Sequence, residues 1–181
     1  MGKSLKLIGL VLVFVLFAGL TTNRNNTNES SAWMRNILEK LDVSDYYATA
    51  TPEGNLAVTG SFVNKVWFGT KALVSTGSYD IFVAKYSPDG ALLWLKQGGG
   101  NEFDMANVIR CDTTGNIYVT GYVTGLAFFG DYILISRGQR NVFTIKYDRN
   151  GEIVWLKAEG ADLYYETNPK KRSRIMARVM D

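Results

Sequence analysis

Histidine is absent from this 181-residue chain, and cysteine occurs once, at Cys111. The first absence removes the usual general base, the commonest zinc ligand and the side chain that titrates near neutrality. The second rules out an intramolecular disulfide and any CxxC metal or redox site. Ser-His-Asp, Cys-His and zinc-hydrolase mechanisms are thereby excluded. A phosphate-cradling glycine loop of the required spacing is missing as well. So is a one-sided charge on the central part of the chain. The formal net charge is +3, yet Trp33 to Gly160 carries 12 Lys/Arg against 13 Asp/Glu. The excess sits at the ends, in Lys3 and Lys6 and in Lys170, Lys171, Arg172, Arg174 and Arg178. A nucleic-acid-binding domain would carry it on the folded surface. What is present, 46% hydrophobic residues with 18 glycines, is a globular composition rather than a disordered or multi-span membrane one.

The chain divides by composition. Residues 1–20 place Lys3 and Lys6 before an apolar run from Leu7 to Leu20. That is the pattern of a secretory signal peptide, and the run is shorter than the roughly 20 residues of a membrane span. Export is expected, with residues 7–20 as an anchor if cleavage fails. Residues 21–32 (TTNRNNTNESSA) form a polar linker with two glycosylation acceptor patterns, at Asn25 and Asn28.

Beyond the linker the chain repeats itself. Residues 54–99 align without a gap on residues 115–160, an offset of 61 with 18 identities. Gly54-Asn55, Val58-Thr59-Gly60, Phe68-Gly69, Ser75, Gly77, Phe82, Lys85-Tyr86, Gly90 and Trp94-Leu95-Lys96 all recur. Trp33 stands a further 61 residues upstream of Trp94. Each unit reads as β structure. Asn55–Phe62 and Asn116–Val123 are β-branched or aromatic strands, and Asp80–Tyr86 and Asn141–Tyr147 alternate with period two. The turns Ser87-Pro88-Asp89-Gly90 and Asp148-Arg149-Asn150-Gly151 lead into strands at Ala91–Lys96 and Glu152–Lys157. Met105–Asp112, with a less regular counterpart at Tyr46–Thr51, supplies the fourth. Four short antiparallel strands per unit predict an all-β fold of propeller blades, apolar on both faces where they stack. The first blade, with a preceding strand remnant, covers residues 33–99, the second covers 100–160, and a basic non-repeat tail covers 161–181.

These residues resemble the SBBP family of bacterial and archaeal β-propeller repeats. The resemblance is carried by Asp112 with Gly115-Asn116-Ile117-Tyr118-Val119-Thr120-Gly121, by Ser75-Thr76-Gly77-Ser78-Tyr79-Asp80, and by Gly90 through Trp94 to Gly98-Gly99. It implies a propeller blade in an exported protein and carries no catalytic residue set and no cofactor. Thr51 and Ala57 replace the aspartate and tyrosine of the pattern, so the first unit is degenerate. After Gly160 the repeat stops; Asp162-Leu163-Tyr164-Tyr165 hints at a third blade's opening strand, and Ile175 to Val179 reads as a short helix.

Closed propellers have about 4–8 blades, and repeat units need stacked neighbours or caps. Two units therefore imply a truncated gene product, which is favoured, or assembly with copies of the chain or with a longer propeller, or caps formed by Trp33–Leu41 and the tail. Within Trp33–Leu41 a strand is expected at Trp33–Arg35, followed by a helical turn or two from Asn36 to Leu41.

Candidate sites are weighed against plainer readings. Asp112, Asp148, Asp89 and Asn150 offer oxygens in glycine turns, yet lack the dense acidic spacing of a calcium loop and read as turn chemistry. Trp67-Phe68 and Phe128-Phe129 read as blade packing before a carbohydrate- or peptide-binding surface. Lys85, Lys146, Lys96 and Lys157 read as stems over apolar surface with the charge in solvent. Glu102 and Asp104 are a candidate carboxylate pair, and Cys111 reads as an inert strand residue. No catalytic, cofactor or metal site is assigned. The function expected is an exported, non-enzymatic binding or scaffold module whose partners meet exposed blade faces. The alternative is a piece of a propeller enzyme acting on polysaccharide through carboxylates.

Overall fold

The structure, a computed structural model, describes residues 37, 43, 45–137 and 140–180. The apolar leader, the linker and nearly all of Trp33–Leu41 lie outside these residues. From Asp45 on, the described residues form thirteen strands and a helix, in order: β1 (Asp45–Ala50), β2 (Leu56–Phe62), β3 (Lys65–Phe68), β4 (Lys71–Val74), β5 (Asp80–Tyr86), β6 (Leu92–Gly100), β7 (Met105–Cys111), β8 (Ile117–Val123), β9 (Leu126–Phe129), β10 (Tyr132–Ser136), β11 (Asn141–Tyr147), β12 (Ile153–Ala158), β13 (Ala161–Tyr165) and α1 (Pro169–Met180). The fold is all-β and propeller-like, and each repeat contributes one antiparallel four-stranded blade. The first is ordered β1-β2-β5-β6 and the second β7-β8-β11-β12. Strand β7 packs against β1 and β2, so the two blades stand side by side with their first strands adjacent.

The blade turns are built alike. Asp112 accepts hydrogen bonds from the Thr114 and Asn116 amides at 3.0 and 2.9 Å, and from the Thr114, Asn116 and Tyr118 side chains. In the first unit Thr51 stands in its place, and its Oγ1 still accepts the Asn55 amide at 3.3 Å. The turn thus survives the loss of its aspartate. The shared Ser75 and Ser136 also have a local cause. Their amides donate to the carbonyls of Asn64 and Gly125, both in left-handed conformation, closing the base of a hairpin.

That hairpin, β3-β4 in the first unit and β9-β10 in the second, is an addition to the four expected strands. Its short segments lack a long alternating run; among the described residues β3 and β4 pair with each other alone, whereas β9 and β10 also pair with β6 and β13. β6 runs on past its blade, so that Gly98, Gly99 and Gly100 pair with Phe129, Phe128 and Ala127 of β9. Close approach requires glycine here, because a Cβ on Gly98 would overlap the Phe129 ring and one on Gly100 the Leu126 carbonyl. The second unit's hairpin therefore belongs to a seven-stranded sheet, β1-β2-β5-β6-β9-β10-β13, that ties the two repeats together.

β13 departs from the expectation of a third blade's opening strand. It pairs antiparallel with β10, Leu163 opposite Leu134, and closes the hairpin's outer side. The tail helix is longer than Ile175–Val179. Asn168 Oδ1 caps it by accepting the Lys170 amide at 3.0 Å, and Pro169 occupies the first turn, where its missing N–H costs nothing. Arg172 donates to the Gly130 carbonyl at 3.1 Å and docks α1 on the hairpin. Of Trp33–Leu41, Ile37 is described; it is helical and packs on the first unit's core. The expected strand at Trp33–Arg35 falls outside the described residues.

Two apolar cores result. One joins Leu56, Val58, Phe62, Phe82, Ala84 and Tyr86 to Val66 and Phe68 of the first hairpin. The other joins Ala57, Ile81, Val83 and Trp94 of the first blade to Ile109, Ile117, Val119, Phe143, Ile145 and Tyr147 of the second, with Phe129 and Leu134 from β9-β10.

Candidate functional site

The ladder registers lay corresponding side chains in rows across one face of each blade. In the first blade one row runs Trp94, Lys85, Ala57, Thr49, and the next runs Lys96, Val83, Thr59, Tyr47. The second blade repeats them as Trp155, Lys146, Tyr118, Arg110 and as Lys157, Thr144, Thr120, Val108.

The first face is covered by the second blade. Lys85 is 3% exposed and its Nζ donates to the Arg149 carbonyl at 3.2 Å, with Glu53 Oε2 at 4.0 Å. Trp94 Nε1 donates to that same carbonyl at 3.2 Å, and the indole packs on Gly151 and on Tyr147. Thr59 Oγ1 donates to the Phe82 carbonyl, and Ser61 Oγ accepts the Ala106 amide. One turn of the second blade thus satisfies an indole and an ammonium at once. The expectation of a solvated charge at Lys85 is corrected: the ammonium is buried and partnered.

The second face is open. Tyr118, Thr120, Tyr122, Thr144, Lys146 and Trp155 are half-exposed, and Val142 is 51% exposed. Its hydroxyls and cations are arranged along the face. Thr120 and Thr144 hydroxyls lie 3.1 Å apart, and Lys146 Nζ stands 5.2 Å from the Tyr118 ring. Lys157 Nζ lies 5.3 Å from Trp155, and the Arg140 guanidinium 4.5 Å from Tyr122. Among the described residues no acceptor meets Trp155 Nε1. The result is an aromatic surface, with Tyr118 and Trp155 edge to face at 61°, bordered by cations and able to donate to carbonyl or anionic oxygens. Sequence reasoning passed over it, because Tyr118 and Trp155 are pattern residues of the repeat and only register puts them beside Lys146.

The residues singled out from sequence fall elsewhere. Phe68 and Phe129 are buried as packing, whereas Trp67 is 53% exposed on β3 and Phe128 lies under Arg172. Asp112 spends its carboxylate on turn donors, led by the Asn116 side chain, which hold it well below the usual carboxylate range. Asp148 likewise accepts the Asn150 and Glu152 amides, and Asp89 the Ser87 hydroxyl. Among the described residues no three acidic or cysteine side chains are arranged to hold a metal ion. Cys111 lies on β7 with its thiol pushed up to about 11 by burial. The proposed Glu102–Asp104 carboxylate pair is corrected. Asp104 is fully buried while Glu102 is exposed, and Asp104 faces Asp80, so the two cannot flank a substrate. A cleft of about 180 Å³ near Gln97, Tyr132 and Tyr147 is smaller than the roughly 300 Å³ at which small-molecule pockets begin. No helix among the described residues is long and apolar enough to cross a membrane.

No protein-family profile matches the chain. A similar protein is an uncharacterized WD repeat-containing protein of Acanthamoeba polyphaga mimivirus, 26% identical over 121 residues. The match takes in 58% of this chain and 9% of that protein, so the chain corresponds to a small part of it. The doubled four-stranded blade and this similarity agree that the chain is built of β-propeller-type repeats.

Proposed function

We propose that the chain is an exported, SBBP-like propeller module that works by binding rather than catalysis. The open face of the second blade is its recognition surface, and a blade of another copy of the chain is its partner. One observation carries the reading: Trp94 and Lys85 are capped together by the Arg149 carbonyl, while their counterparts Trp155 and Lys146 stand uncapped among the described residues. The turn that corresponds to Arg149 in a second copy is Ser87-Pro88-Asp89-Gly90, and its Pro88 carbonyl fits the same role. With about 4–8 blades in a closed propeller, two to four copies complete a ring. The apolar leader with Lys3 and Lys6 supports export.

Sedimentation of the full chain is expected to show concentration-dependent association that Lys146→Glu abolishes. Mixing a Lys146→Cys variant with a Pro88→Cys variant, each with Cys111→Ser, is expected to give a disulfide-linked heterodimer. A chain that stays monomeric at 100 µM and gives no such cross-link sinks the reading.

A further inference from the structure

Where the two units join, two carboxylates lie buried with no cation to balance them among the described residues. Asp80 opens β5 and is 1% exposed, and Asp104 precedes β7 and is fully buried. Asp104 Oδ1 accepts the Thr124 amide at 3.0 Å and Oδ2 the Gly100 amide at 2.8 Å. Asp80 Oδ2 accepts the Thr76 amide and hydroxyl and the Gln97 side chain. Asp80 Oδ1 is buried without a hydrogen-bond partner. A Cβ on Gly99 would stand 3.0 Å from this orphaned oxygen and 3.0 Å from Asp104 Oδ2, so both close on one point beside the glycine. Gly99 holds φ at +136°, which a side-chain-bearing residue rarely adopts.

The charged groups nearby do not offset the pair. Glu102, in the connection before β7, adds negative potential at Asp104. Arg140, ahead of β11, lies over the Phe103 and Tyr122 rings, and β6 presents Gln97 and glycines. Neither carboxylate forms an ion pair among the described residues. Two buried unpaired charges that approach the same point are costly, and proteins resolve such dyads by retaining a proton.

We propose that Asp80 and Asp104 share one proton and form a pH-sensitive clamp between the two repeats. The proton sits on Asp104 Oδ2 and is donated to Asp80 Oδ1, which gives the orphaned oxygen its partner, while Asp104 Oδ1 still accepts the Thr124 amide and the remaining lone pair of Oδ2 the Gly100 amide. Burial, followed by the charges of Asp80 and Glu102, pushes the Asp104 carboxyl up to about 6 from 3.8. The folded state therefore keeps a proton that the unfolded chain releases near pH 4. The clamp's contribution is complete below about pH 4 and is lost as pH rises through about 6. The folding equilibrium constant is expected to fall on the order of a hundredfold across that window.

Asp80→Asn tests the clamp, because an amide places a permanent donor at the Oδ1 position and keeps an acceptor for Thr76 and Gln97. Denaturant unfolding of the full chain from pH 4.5 to 8 is expected to show the wild type losing stability as pH rises. Asp80→Asn is expected to show a flat profile and to be the more stable protein at pH 7.5. Carbon-13 titration of the wild-type Asp104 carboxyl is expected to show a midpoint near 6, independently of whether the variant folds. A flat wild-type profile, the same slope in Asp80→Asn, or an Asp104 midpoint near 4 would overturn the proposal.

Discussion

The two repeats share the sequence positions of their central strands but not their surroundings. β2 and β5 of the first blade are buried at every residue, whereas β8 and β11 of the second alternate between buried and part-exposed positions. The hairpin-covered face is the same in both: Phe82, Ala84 and Tyr86 have counterparts in Phe143, Ile145 and Tyr147, all buried. The opposite faces differ. Ala57, Val83 and Ile81 lie under the neighbouring blade, while Tyr118, Thr144 and Val142 meet solvent. At two of these positions the sequence has followed the environment: Ala57 and Val83 lie beneath a neighbour where Tyr118 and Thr144 stand on the open face. A repeat motif thus specifies a blade, and its deviations mark which side of that blade is occupied.

The sharpest way to break this contrast is to truncate equivalent tryptophans. Trp94→Ala is expected to cost about 3–5 kcal/mol, because it empties the joint around Gly151 and Tyr147. Trp155→Ala is expected to cost no more than about 1 kcal/mol. Urea unfolding of both variants at concentrations where the chain is monomeric checks the pair, and equal losses there would show that the second face is covered within the single chain. Next in size is Gly98→Ala, which drives a methyl into the Phe129 ring and is expected to cost about 1–3 kcal/mol. Its positional counterpart Glu159→Ala should stay within about 0.5 kcal/mol by the same measurement. In the monomeric chain Lys85→Met leaves the Arg149 carbonyl one donor short and is expected to cost about 1–2 kcal/mol, against a negligible change for Lys146→Met.

The smallest effect separates the two blade turns. Donors around Asp112 depress its pKa in the folded state, so its contribution is present above the ordinary carboxylate pKa and lost as pH falls below it. Thr51, its counterpart, does not titrate. Amide exchange at Asn116 should therefore accelerate relative to Asn55 as pH is lowered from 5 towards 3, after correction for intrinsic rates. Parallel behaviour of the two amides would remove this distinction.

Much of the blade is legible in the amino-acid sequence. Strand segments such as Asp80–Tyr86 and Asn141–Tyr147 announce themselves by alternation, and their ends by glycine turns whose geometry is local. The hairpins β3-β4 and β9-β10 were not legible, because strands of four or five residues carry little periodicity and β9 earns its place by pairing with Gly98–Gly100 far away in sequence. The candidate site was harder still. Trp155, Lys146 and Tyr118 lie on three strands and meet through ladder register. Asp104 drew notice beside Glu102, its sequence neighbour, when its true counterpart is Asp80 across Gly99.

Sequence alone determined the local events: a repeat of 61 residues with its strands and turns. Those depend on backbone preferences and on periods of two that each segment carries in itself. Tertiary structure alone decided which faces are dry, which lysine is buried, and which two aspartates meet. Burial and charge proximity are properties of pairs brought together from distant positions, and no single segment encodes its partner.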